Sequence, residues 1–146
     1  MSFRFPLQAV LNYRANLERR EYLTLGRVHQ QVGEAEIQLQ QAEELCAAAT
    51  RKREAQTVRG VASVHLQEAY QQELGLEARR DQLRDKLKQL RITLEQCRRA
   101  YEAARQKREV MDELRTQRLD AYRREQGKQE QRRIDDLFLS RRRRGN

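Results

Sequence analysis

Tryptophan is absent from these 146 residues, which hold one proline, six glycines and two cysteines. So few helix breakers in such a length indicate long helices. Apolar residues make up only 38% of the chain and charged residues 36%. That excludes a compact globule; any core must be a thin seam. No apolar run approaches the ~20 residues of a membrane span. Met1 to Leu11 has no long apolar stretch of the secretory type, so a cytosolic protein is expected. Two cysteines are too few for a disulfide scaffold, and Cys46 and Cys97 have no ligand-like spacing to His29 or His65. There is no Gly-rich phosphate loop and no His/Cys/Asp grouping at useful spacing. Neither catalysis nor a cofactor is expected.

What the chain does have is two apolar stripes. The first is Leu25, Val28, Val32, Ala35, Leu39, Ala42, Cys46 and Ala49. The second runs from Leu66 through Leu76, Leu83, Leu87, Leu90, Leu94, Cys97, Tyr101 and Ala104 to Met111. Both step by threes and fours, the repeat that keeps one side of a helix against another helix. The expected fold is all-α: two long helices in an antiparallel coiled-coil hairpin, the second longer and projecting. Helix 1 is expected over about residues 6–57, opening at Pro6, where a missing N–H costs nothing. The turn is placed at about 58–62, around Gly60, and Ser63 is read as the cap of helix 2. Helix 2 is expected over about 63–139, with a basic tail at 140–146.

A turn near Gly60 predicts that facing residue numbers sum to about 118–119, pairing Leu25 with Leu94, Val32 with Leu87 and Ala35 with Leu83. Folding near residue 71 instead would pair Cys46 with Cys97 but place Leu25 and Val28 against arginines. That register is rejected, and no disulfide is expected. Two seam positions are polar: Arg80, facing Leu39, and Glu73, facing Cys46. Register control or snorkelling explains them; a loose partner-binding stretch is the alternative. Pro6 then reaches only about Glu113, leaving some 27 residues of helix 2 to dock elsewhere or fray.

Net charge is +9, all of it from residues 74–146, where 22 Arg/Lys face 13 Asp/Glu. Such a field favours acidic partners, nucleic acid or anionic lipid. Two apolar groups remain. Phe3, Phe5, Leu7, Val10 and Leu11 form either the end of the seam or a docking end. Ile134, Leu137 and Phe138 share one helix face beyond any partner in the hairpin, which suits a helix-in-groove contact. Arg141, Arg142, Arg143 and Arg144 follow, as a solvated tail or an anchor to anionic groups. Ile37 and Leu45 lie off the seam, on the outer side of helix 1.

Three stretches carry a resemblance: Phe5-Pro6-Leu7-Gln8-Ala9-Val10-Leu11-Asn12-Tyr13-Arg14, Gly60-Val61-Ala62-Ser63 with Leu66 and Tyr70, and Gln131-Arg132 leading into Ile134-Asp135-Asp136-Leu137. In order and at this length, the chain resembles the flagellar export protein FliJ family. That resemblance implies a stalk-like coiled coil of the bacterial flagellar type III export apparatus, at the cytoplasmic side of the inner membrane and serving motility. It implies three partners: the hexameric export ATPase, the cytoplasmic domain of the membrane export gate, and export chaperones. Carried over by position, ring binding falls to Phe5, Leu7, Val10 and Leu11 with Ile134, Leu137 and Phe138. Gate or chaperone binding falls to Gln38, Leu45 and Tyr70. Relatives show aromatics at several positions that are alanine here, including Ala49. A monomer without specific nucleic-acid binding is expected. The alternatives are a stalk of a non-flagellar secretion system, a basic coiled coil that binds nucleic acid, and a parallel homodimer.

Overall fold

The computed structural model describes residues 2–145. It has two helices packed against each other, α1 (Gln8–Arg59) and α2 (Ser63–Arg144), and no strand among the described residues. The expected all-α hairpin with a longer second helix is what forms. The boundaries differ from the sequence reading at several points, each for a local reason. Pro6 and Leu7 lie in a turn before α1, with the Gln8 N–H on the Phe5 carbonyl. At the other end, α1 continues through Thr57, Val58 and Arg59. Gly60 then takes φ +73°, with its N–H on the Thr57 carbonyl and the Val61 N–H on the Gln56 carbonyl. These are the paired bonds of a Schellman stop, which satisfies the last helix carbonyls and needs a left-handed residue at that position. The N–H groups of His65 and Leu66 both reach the Ala62 carbonyl. Ala62 therefore holds the cap position, and Ser63 is the first helical residue rather than the cap.

Because α1 ends at Arg59 and α2 starts at Ser63, the turn centres on Val61 and the register moves. Thr50 meets Glu73, Tyr22 meets Tyr101, Glu36 meets Arg91 and Glu43 meets Arg84. These numbers sum to 123–127 instead of 118–119, a slip of 4 to 9 residues, or about one to two and a half helical turns. Leu–Leu layers tolerate that slip, because each seam side chain sits among four residues of the facing helix. Both cysteines are free thiols.

The chain forms two compact units: Arg20–Tyr101, and Met1–Arg19 with Glu102–Asn146. In Arg20–Tyr101 the core is Val32, Ala35 and Leu87, with Leu39, Leu90 and Leu94 packed against it. Near the turn the buried side chain of Glu73 accepts hydrogen bonds from Thr50 Oγ1 (2.7 Å) and Arg53 Nε (2.5 Å). Those two bonds, Arg53 first, hold the Glu73 carboxyl below the usual carboxylate range against the opposing effect of burial. Glu73 is thus a buried and paired charge, not a residue facing Cys46 and not a loose point in the seam.

In the other unit Arg108 is bound by Glu18 across the helices and by Asp112 on its own helix. Hydrogen bonds to both, Glu18 first, push its pKa further up. The residues before α1 then extend the pairing. Phe3 packs on Tyr122 at 5.6 Å between ring centroids, and the Arg115 guanidinium lies 5.9 Å over the Phe3 ring. Arg118 lies 6.0 Å over Phe5, and Arg115 Nε donates to Gln8 Oε1. Seam positions that are arginine and tyrosine on α2 are therefore covered by the two phenylalanines. Each such cation–π contact contributes about 0.5–1 kcal/mol. Pairing reaches Tyr122, well beyond the expected Glu113.

From Arg123 to Gly145 every residue is exposed, and α2 stays helical to Arg144. No basic tail separates at residue 140. The Ser140 hydroxyl donates to the Asp136 carbonyl and stays within the helix. Arg141–Arg144 are good helix formers in the last turn, where positive charge meets the negative end of the helix dipole.

Candidate protein-binding surfaces

Three surfaces follow from this packing. The first is the unpaired stretch of α2. Ile134, Leu137 and Phe138 sit at i, i+3 and i+4 and are 52%, 61% and 67% exposed. Leu139, also exposed, points away from that face. Few contacts hold this stretch: Gln131 Nε2 donates to Asp135 Oδ1 (3.0 Å), and Arg133 pairs with Glu130 at 3.9 Å. Arg141–Arg144 have no carboxylate partner among the described residues. Apolar and positive groups are therefore presented together, with nothing among the described residues to satisfy either.

The second surface is the N-terminal set, and here the structure divides residues that the sequence reading grouped. Phe5 and Leu11 are buried, at 5% and 7% exposure. They are part of the packing, and a partner could reach them only by unpacking the end of the hairpin. Leu7 is half-buried and Val10 is exposed. A partner docking at this end would therefore use Val10 and the edge of Leu7.

The third surface lies in Arg20–Tyr101. Gln38 and Leu45 are exposed and stand two turns apart on one side of α1. Tyr70, also exposed, stands on α2 beside Arg53, nearer the turn. The sequence reading missed the partners of Glu73, because its register placed Cys46 there. It also missed the Tyr22–Tyr101 ring contact at 5.7 Å. The signal for the first was present: Thr50 and Arg53 lie at i, i+3 on α1 and need an acidic partner across the seam.

No group of three or more His, Cys, Asp or Glu is placed to hold a metal among the described residues. Nor is any helix among them long and apolar enough to cross a membrane. Comparison with families of known proteins gives a match to the family described as Flagellar FliJ protein, over residues 3–146. The chain belongs to the FliJ family. It is a coiled coil related to flagellar export, and membership ties it to the flagellar export machinery. Searches of curated proteins and of solved structures returned no match.

Proposed function

We propose that this FliJ-family chain acts as a stalk-like adaptor, without catalysis of its own, that binds the hexameric flagellar export ATPase through residues 123–144. The observation that supports this is the unpartnered helix itself, which has an apolar triad on one face and four arginines in its last turn. A basic helix is drawn electrostatically toward an acidic lumen, and the triad gives it an anchor once there. Ile134, Leu137 and Phe138 are the proposed anchors, with Val10 and Leu7 beside the N-terminal end. Phe5 and Leu11 serve by holding that end together. The stalk promotes ring assembly and ATP turnover by contacting some ring conformations more strongly than others. Gln38, Leu45 and Tyr70 are proposed to meet the cytoplasmic domain of the export gate or export chaperones. Work at the flagellar base, next to the inner membrane, follows from these partners.

The test is the ATP hydrolysis rate of the cognate export ATPase, with and without the protein, full length and cut after Gln129. Stimulation by the full chain should disappear with the cut. The double variant Leu137→Asp/Phe138→Asp should weaken association by at least about tenfold, as loss of central apolar anchors does. Equal stimulation by the cut and full chains, or none by either at low salt, overturns the ring assignment. Tight, salt-steep binding to generic duplex DNA in its place would move the reading to nucleic acid.

A further inference from the structure

A groove on the Arg20–Tyr101 unit is left unused by the ring contact. Tyr22, Leu23, Leu25 and Gly26 of α1 line it together with Leu94 of α2. Tyr22 and Leu23 are 59% and 55% exposed, and Tyr22 is steadied against Tyr101. The charged lining residues are basic: Arg27 and Arg98, with His29 beside them. Arg27 donates to the Thr24 hydroxyl at 3.3 Å, and no carboxylate pairs with it among the described residues. Arg98 is paired with Glu95 at 3.1 Å on its own helix, so the uncompensated charge of the rim is that of Arg27.

The floor is low. A Cβ built on Gly26 meets nothing within 4 Å, and the same holds at Gly33, one heptad further along. Ile37 follows on that side and is 59% exposed. Both glycines have ordinary helical φ; only Gly60 has a positive one among the described residues. Each therefore costs about 1 kcal/mol relative to alanine with no turn or close contact inside the chain to require it. What a missing side chain permits here is the close approach of another backbone.

We infer that this groove receives an amphipathic helix of a protein partner, with leucine-like side chains in the groove and Asp or Glu along its flank. Arg27, with no carboxylate paired to it among the described residues, selects the acidic flank, and Arg98 can exchange Glu95 for it. The basic rim also disfavours a second copy of this chain, since two copies meeting here would bring Arg27 and Arg98 against their own kind. The contact is separate from residues 123–144 and does not depend on the ring assignment.

The test uses the full chain and a fluorescent synthetic helix of about twenty residues, with leucine on one face and glutamate on both flanks. Two further peptides serve as controls, one scrambled and one with lysine in place of glutamate. Anisotropy should show saturable binding of the glutamate helix alone, weakening as salt rises. Hydrogen exchange should map its protection to residues 22–37 and 94–101. Gly26→Leu fills the groove and favours the helix, so folding is retained and binding should fall at least tenfold. Arg27→Glu/Arg98→Glu should fall by a similar factor, and ATPase stimulation by Gly26→Leu should match that of the parent. Absent binding, equal binding by the scrambled helix, or indifference to Gly26→Leu overturns the inference. So does a concentration-dependent dimer that Gly26→Leu abolishes, which would make the occupant a second copy.

Discussion

Residues 20–101 and residues 123–144 are equally helical but are held by different forces. In the first, each helix buries the other's apolar stripe, and Ala35 and Leu87 are 1% and 4% exposed. In the second, every side chain is exposed and only bonds within one helix hold the backbone. Such bonds contribute a few tenths of a kcal/mol each, and helices without tertiary packing are marginal in water. Residues 102–122 stand between these cases: their arginines sit on the seam and are covered by Phe3 and Phe5. The lesson is that the same secondary structure can be core in one stretch and available surface in another. What decides is whether a partner helix has chain left to cover it.

Substitutions can break or sharpen that contrast. The largest effect on stability belongs to Leu87→Ala, which opens a void in the Val32–Ala35–Leu87 core. It should cost about 3 kcal/mol in denaturant unfolding, whereas Leu137→Ala should stay within about 0.5 kcal/mol of the parent. A comparable loss from Leu137→Ala would mean that residues 123–144 pack after all. Phe5→Ala should cost about 2 kcal/mol and expose the arginines it covers. Faster amide exchange confined to the helix around Arg115–Tyr122 would confirm that Phe5 extends the paired part.

Glu73 sharpens the comparison through pH. Its carboxyl pKa lies lower in the folded chain than in the unfolded one, so the folded state releases that proton more readily. The stability it contributes is therefore fully present above the unfolded value of about 4.3, and is lost as pH falls toward the folded value. Glu73→Gln should lower the denaturant midpoint at pH 7 and flatten its fall between about pH 5 and pH 3. An unchanged acid limb would remove Glu73 from the account. The smallest expected effect is at Gly127, where a Cβ meets nothing within 4 Å. Gly127→Ala should strengthen the unpaired helix by about 1 kcal/mol, slow exchange around it, and leave the unfolding midpoint of residues 20–101 unmoved.

Much of this was legible in residue order. The stripes from Leu25 and Leu66 announced two helices, and Gly60 announced the stop, because only a residue free of a Cβ takes that φ without strain. The exposed face of Ile134, Leu137 and Phe138 was legible as well, since nothing in the first helix was long enough to reach it. Register was not. A seam of similar leucines accepts a shift of one or two turns at little cost, so the exact end of α1 decides it. Hence Glu73 was assigned to Cys46 when it belongs to Thr50 and Arg53. The fate of Phe3 and Phe5 was hidden for the same reason: whether they meet Arg115, Arg118 and Tyr122 or meet a partner depends on a register that periodicity leaves free.

The sequence by itself determined the class of fold, the helix stop at Gly60 and the greater length of the second helix, because periodicity and a lone left-handed glycine act locally. Only the tertiary structure decided which polar residues pair across the seam, where pairing ends at Tyr122, and which apolar side chains remain uncovered. Those outcomes depend on contacts between residues as much as 119 positions apart. No local pattern fixes such contacts until the two helices have settled against each other.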